Sequence, residues 1–335
     1  MENTRLQQQP ANIEDNNAAE PVAKDGIDRR GFLSCMAWAG TGLIWTMVGG
    51  VPTSKLFAAT AGGSSASHAG KSSSFSFVQI SDSHIGFNKA ANQDVAGTLK
   101  MAVDKINLLP SEPELLLHTG DITQSSKPAE FDTAVEIIKG AKAGNIFYVP
   151  GEHDTAVDDG AQYHERFGQG TQGRGWYSFN HRDVHFVGLN NVLQIDAMGK
   201  LGQDQLTWLK DDLAAQSPST PIVVFAHIPL WMVYPDWGWG TEDGAEALSY
   251  LRRFGSVTVL NGHIHQVVQK VEGNVAFHTA ASTAFPQPAP GAAPHAGPMV
   301  VPAGKLQSVL GVTQVGYVGR HSHLAIVDSS LADQA

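Results

Sequence analysis

Residues 75–84 read Phe75-Ser76-Phe77-Val78-Gln79-Ile80-Ser81-Asp82-Ser83-His84. Alternation through Ile80 has the period of a β-strand, and the run ends in a carboxylate and an imidazole two residues apart. The same event recurs downstream. Leu115-Leu116-Leu117 is a short buried strand leading to Gly120-Asp121, and Ile146-Phe147-Tyr148-Val149 leads to Gly151-Glu152-His153-Asp154. A strand from Ile222 to Ala226 leads to His227, and one over 256–260 leads to Gly262-His263-Ile264-His265. Between these strands apolar residues recur at helical spacing: Val95, Leu99, Val103 and Ile106 within 91–109, then Phe131, Val135 and Ile138, then Leu206, Leu209 and Leu213, then 243–254. Strands alternating with helices define an α/β sheet protein, in which ligands gather at the carboxyl ends of strands. Hairpins are expected over 176–190 and 266–280, a Pro/Ala/Gly-rich loop over 282–304, and a last strand over 315–328.

The 335 residues are 42% hydrophobic, enough for a sizeable core. A net charge of −10, from 22 basic and 32 acidic residues, argues against sequence-independent nucleic-acid binding. One Cys beside fourteen His excludes a disulfide framework and a thiolate zinc cluster. Imidazole and carboxylate without thiolate suit Zn, Mn or Fe. Asp82/His84 and His263/His265 share an i, i+2 spacing, which lets both side chains of a pair turn into one site as the chain bends. Glycines before Asp121, Glu152 and His263 permit tight turns and close backbone approach.

This ordered set (D-x-H, G-D, G-E-H-D, H, G-H-x-H) resembles the calcineurin-like metallophosphoesterase family over about Phe75 to Ala280, nearest its bacterial class III cyclic-nucleotide phosphodiesterase branch. The helix opening at Leu201-Gly202-Gln203-Asp204-Gln205-Leu206 is also similar. Gln124, where the purple acid phosphatase branch has a tyrosine, argues against that branch. The resemblance implies a four-layer α/β/β/α sandwich with two mixed sheets, and two divalent or trivalent metal ions of identity Mn, Fe or Zn. It implies that Asp82, His84 and His265 hold one metal, that Asp121 bridges, and that His227, His263 and Glu152 hold the second. His153, oriented by Asp154, would serve as acid or charge stabiliser, with a metal-bridging hydroxide as nucleophile. Ions about 3.5–4 Å apart acidify such a water and clamp the phosphoryl oxygens during in-line attack. The substrate class implied is a small phosphate ester, most simply a diester such as a cyclic nucleotide.

Glu152 departs from the family pattern, which has Asn there. Ionised Glu offers only acceptors and adds a negative charge, whereas Asn offers a neutral oxygen and an amide donor. Two divalent ions bring +4, Asp82 and Asp121 reduce that to +2, and ionised Glu152 leaves +1. Attraction for a monoester dianion then falls more than for a diester monoanion. The alternatives are a different metal pair, ordinary ligation with ordinary activity, phosphomonoesterase activity, or a metal-binding protein with weakened turnover.

Upstream, Asp28-Arg29-Arg30-Gly31-Phe32-Leu33 precedes an uncharged segment from Gly31 to Ser54. Twin arginines, a moderately apolar segment and small residues after it read as a twin-arginine export signal over 1–61. A membrane anchor is the other reading of that length. A Gly/Ser-rich linker over 62–74, a catalytic domain over 75–328 and a tail over 329–335 complete the organisation. The expected partners are the small phosphate ester and the twin-arginine export machinery, with the membrane touched only through an uncleaved signal. The expected location is periplasmic or secreted. Trp231, Tyr234, Trp237 and Trp239 follow His227 and form either a pocket wall or a packed loop. His118, His321 and His323 are expected to be structural.

Overall fold

The computed structural model describes residues 44–48, 51–55, 74–192, 198–317 and 324–333. Arg29-Arg30, residues 62–73 of the expected linker over 62–74, His321 and His323 lie outside the described residues. Ile44–Val48 (β1) and Val51–Lys55 (β2) pair as an antiparallel hairpin, a unit separate from the rest. Among the described residues no helix is long and apolar enough to cross a membrane.

From Ser74 onward strands and helices alternate. Phe75–Ile80 (β3), Leu115–His118 (β4) and Asn145–Tyr148 (β5) run parallel, connected by Val95–Asn107 (α1) and Pro128–Ile138 (α2). The four-residue Glu152–Thr155 (α3) and Ala161–Phe167 (α4) follow; both are too short for their periodicity to be read from sequence. Tyr177–His181 (β6) and Val184–Gly188 (β7) form the expected hairpin. Gln203–Ala214 (α5), Ile222–Phe225 (β8), Gly244–Leu251 (α6) and Val257–Asn261 (β9) continue the alternation, with β7, β8 and β9 parallel. Gln269–Glu272 (β10) and Val275–Thr279 (β11) form the second expected hairpin.

The chain end differs from expectation. Instead of one strand over 315–328, Gly311–Tyr317 (β12) and Ala325–Ser330 (β13) pair antiparallel, preceded by the turn of helix Leu306–Val309 (α7). A single strand of that span would overrun the short strands it joins; folding back lets β12 pair with both β3 and β13. The result is a five-stranded sheet, β13-β12-β3-β4-β5, and a six-stranded sheet, β10-β11-β9-β8-β7-β6, both mixed.

Three apolar clusters define four layers. Val78, Ile80 and Leu116 face Leu99, Ile106, Phe131 and Ile138 of α1 and α2. Val187, Val224 and Val259 face Leu206, Leu209 and Leu251 of α5 and α6. The opposite faces of the sheets meet through Phe77, Leu115, Leu117, Phe186, Val223, Phe225 and Leu260. Successive strand residues thus serve alternate layers, as a pleat demands, and each fully buried side chain contributes roughly 1.5–3 kcal/mol. The expected sandwich is the observed one.

Candidate metal centre

The carboxyl ends of β3, β4, β5, β8 and β9 bring together all seven residues of the expected ligand set. Asp82, His84 and His265 offer ligand atoms within 4.8 Å of one another, and so do Glu152, His227 and His263. Asp121 joins the two groups: its Oδ2 lies 3.4 Å from His84 Nε2 and 3.4 Å from His227 Nε2. Glu152 Oε2 is 2.9 Å from His227 Nε2, and Oε1 is 2.9 Å from His263 Nδ1. His265 Nε2 is 3.3 Å from Asp82 Oδ1.

Unusual backbone makes this convergence possible. Asp82, His84, Asp121, His263 and His265 all have positive φ, between 42° and 70°. Left-handed backbone at a non-glycine residue costs on the order of 1 kcal/mol, and such strain clusters at functional sites. Both members of each i, i+2 pair adopt it, which turns side chains that a strand would keep on one sheet face into the rim. Two glycines allow the turns to close in. A Cβ on Gly151 would overlap Asp121, and one on Gly262 would overlap Ser81 Oγ and Asp82 Oδ2.

The donor set fits metal ions. Both Asp82 oxygens accept from His263 N, at 3.1 and 3.2 Å, and Asp121 Oδ1 accepts from His153 N at 3.0 Å. His227 Nδ1–H donates to Thr119 O at 2.7 Å and His265 Nδ1–H to Phe285 O at 2.5 Å, so each ring turns its Nε2 inward. Glu152 Oε2, His227 Nε2 and both ring nitrogens of His263 are buried and make no well-directed hydrogen bond, the 2.9 Å approaches of Glu152 to the two rings being close ionic contacts only. Buried polar atoms left this way are costly unless something else engages them.

Titration follows the same crowding. Burial lowers His84 to about 3, keeping its ring neutral and one nitrogen lone pair available. Burial opposes ionisation of Asp82, yet His265, His227 and His84 around it hold its carboxyl well below the usual range. Burial would lower His227 too, but Asp121 and Glu152 outweigh it and raise that ring well above the ordinary histidine value.

His153 lies among them: it shares a candidate group with His84 and Asp121, and its ring meets His84 edge-on at 4.9 Å. Its orientation corrects the expectation. The hydrogen bonds of the Asp154 carboxylate do not go to the His153 ring. The Asp154 carboxylate is buried and accepts from the backbone nitrogens of Ile122, Thr123 and Gly151 at 2.8–3.0 Å, and from Thr123 Oγ1 at 2.9 Å. It therefore buckles the Gly151–Asp154 turn to the Asp121 loop, and the His153 ring is aimed by Nδ1–H donation to Gln124 O at 2.8 Å. Neighbours in sequence on one helical turn point apart, which is why Asp154 could not do both.

Sequence reading also missed a clasp. Ser282 Oγ donates to Asp82 O at 2.8 Å, Gln287 Nε2 to His263 O at 3.0 Å, and Gln266 Nε2 to Pro288 O at 2.8 Å. With the Phe285 carbonyl, residues 282–288 tie both i, i+2 turns together. Nothing in a Pro/Ala/Gly-rich tract signals this, because the contacts use backbone carbonyls and common polar side chains. The aromatic segment after His227 divides. Trp231 packs on Phe277 at 4.7 Å and Trp239 is fully buried, whereas Tyr234 and Trp237 pair with each other at 5.3 Å, half-buried. His118 is buried and bonded to Ser83 Oγ at 2.8 Å, as befits a structural role.

A two-sheet sandwich with carboxylates and imidazoles converging on its strand ends is the architecture of a metal-dependent phosphoric ester hydrolase. The calcineurin-like phosphoesterase family profile matches residues 75–267, and the chain belongs to that family. It is 26% identical over 224 residues to a protein of Arcobacter nitrofigilis named "Probable glycerophosphodiester phosphodiesterase GpdQ", covering 61% of this chain and 77% of that one. It is 28% identical over 231 residues to a "Probable cyclic nucleotide phosphodiesterase" of Synechococcus, covering 66% and 86%. The solved purple acid phosphatase PPD1 of yellow lupin shares the fold, with a TM-score of 0.57 at 14% identity, over 78% of this chain and 52% of that one.

Proposed function

We propose that this chain is an exported phosphodiesterase that hydrolyses a small phosphodiester monoanion, the class to which cyclic nucleotides and glycerol diesters belong. The observation that carries this reading is Glu152, whose two carboxylate oxygens reach His227 and His263 at 2.9 Å each. A third carboxylate therefore stands in the centre beside Asp82 and Asp121, where the family has a neutral amide. Two cations held by these residues would supply an acidified water and positive charge for the phosphoryl oxygens. Lowering the net charge from +2 to +1 weakens the attraction for both kinds of ester, but the monoester dianion loses twice as much Coulomb energy as the diester monoanion.

His153 completes the chemistry. With Nδ1–H committed to Gln124 O, its Nε2 is the nitrogen free to face the substrate. Burial disfavours charge on this ring, while Asp121 and Glu152 raise its pKa above the ordinary value in the metal-free centre; from that position a protonated Nε2 would give its proton to the departing alkoxide. Two relatives named as phosphodiesterases support the diester choice.

Matched bis(p-nitrophenyl) phosphate and p-nitrophenyl phosphate assays on wild type and Glu152→Asn test the reading. The monoester kcat/KM relative to the diester value is expected to rise about tenfold in the variant. A wild type that prefers the monoester, or an unchanged ratio, refutes the charge argument. Export rests on Arg29-Arg30 and the uncharged segment after it. Replacing both arginines by lysine is expected to leave the protein in the cytoplasm on cell fractionation.

A further inference from the structure

Beside the metal centre, behind the His265 ring, lies a cavity of about 500 Å³, within the size range of small-molecule sites. It lies between the start of β12, the end of β13 and the 286–299 part of the loop, and only His265 belongs to both it and the metal centre. Val267, Met299, Val309 and Leu310 give it an apolar wall. Its one carboxylate is Asp328, and no lysine or arginine lines it among the described residues. A phosphate-bearing molecule would meet repulsion there and no counter-charge, so this is not an extension of the ester site.

Asp328 has acceptor capacity to spare. Its Oδ1 accepts from Thr313 Oγ1 at 2.6 Å and its Oδ2 from His278 Nε2 at 3.0 Å, while an ionised carboxylate offers about four lone-pair sites. The two bonds fix the carboxylate rather than exhaust it, and the side chain keeps 27% of its surface exposed. A fixed carboxylate beside an apolar wall recognises a molecule with an apolar body and a cationic donor head. The net charge of −10 favours the same sign of ligand.

We propose that this cavity is a second ligand site that takes a small organic monocation, its apolar body against Val309 and Leu310 and its ammonium group on Asp328. Gln266, Pro286 and Gln287, which form part of the same lining, also belong to the clasp on the His263–His265 turn. An occupant would therefore touch the segment that holds the metal ligands without touching the ester.

Isothermal titration of the full, metal-loaded chain at pH 7 with hexylammonium, hexan-1-ol and hexanoate tests the assignment. One hexylammonium per chain is expected, bound at least about tenfold more tightly than hexan-1-ol, with no hexanoate binding. Asp328→Asn, which keeps an acceptor for Thr313, is expected to bring hexylammonium down to the level of hexan-1-ol. Filling the cavity from either of two exposed positions, Val309→Trp or Ala289→Trp, is expected to abolish both, and saturating inorganic phosphate is expected to displace neither. Absence of hexylammonium binding, equal binding of hexanoate, an amine preference that survives Asp328→Asn, binding that survives both tryptophans, or displacement by phosphate each overturns the proposal.

Discussion

Three negative side chains and one ring decide the electrostatics of the metal-free centre. His227 Nε2 stands 3.4 Å from Asp121 and 2.9 Å from Glu152, and its far nitrogen is committed to the Thr119 carbonyl. Its pKa, raised well above the ordinary value, means that the metal-free protein keeps a proton on Nε2 at neutral pH. A cation has to displace that proton, so loading releases it and apparent affinity climbs as pH rises toward the raised pKa. Calorimetric metal titrations at pH 7 in buffers of different ionisation enthalpy are expected to report about one proton released per chain for this group. In the proposed reaction His153 stands at the other end, as donor to the leaving oxygen. His153→Ala is expected to slow an alkyl diester by about 100-fold or more, and a nitrophenyl diester far less, because nitrophenolate leaves without a proton. Equal losses on both substrates would show that His153 positions rather than protonates.

Between elements, the clasp over 282–288 connects turns that lie about 180 residues apart. Gln287 donates to His263 O and accepts from Gly297 N at 3.2 Å, while Phe285 O fixes the His265 ring. Gln287→Ala is expected to weaken retention of the metals by about tenfold, read as metal-to-protein ratio after dialysis against a graded chelator, while changing the melting temperature by only a few degrees. Gln287→Asn should not restore retention unless its shorter arm still reaches the His263 carbonyl. This device was invisible in sequence for a physical reason: carbonyl acceptors carry no residue signature, and a tract of Pro, Ala and Gly has no apolar period. By contrast β3, β4, β8 and β9 announced themselves through alternation or short apolar runs, each followed at once by Asp, His or Gly-His. The helical turn at Glu152–Thr155 was hidden by its length, and with it the true direction of Asp154, which faces three backbone nitrogens rather than its neighbour's ring. The turn to β13 also escaped, since alternation persists through both arms of a hairpin.

Across the whole molecule, the two sheets share an apolar interior but meet at the rim as opposed charges and strained turns. Five ligand residues hold positive φ, and Asp82, Asp121 and Asp154 are all buried within the same few turns. The hydrophobic layers, built on Phe77, Leu117, Phe186 and Phe225, hold the strands in place regardless of the rim. Cations that bind the folded rim and have no such site in the unfolded chain stabilise the fold by mass action, about 4 kcal/mol at a thousandfold excess over the dissociation constant. For a domain of this size that amounts to roughly ten degrees of melting temperature. Chelation is therefore expected to lower the melting temperature by about that amount without loss of secondary structure at 25 °C, read by circular dichroism. The pH dependence of the remaining stability follows from His227. A ring whose folded pKa lies above its unfolded value of 6.5 contributes in full below that value and progressively less as pH climbs through the folded one. The metal-free protein should thus lose stability as pH rises above 7, whereas the loaded protein, whose His227 carries no such proton, should not share that loss. Parallel melting curves for the two forms between pH 7 and 9 would refute this account of what the cations do for the fold.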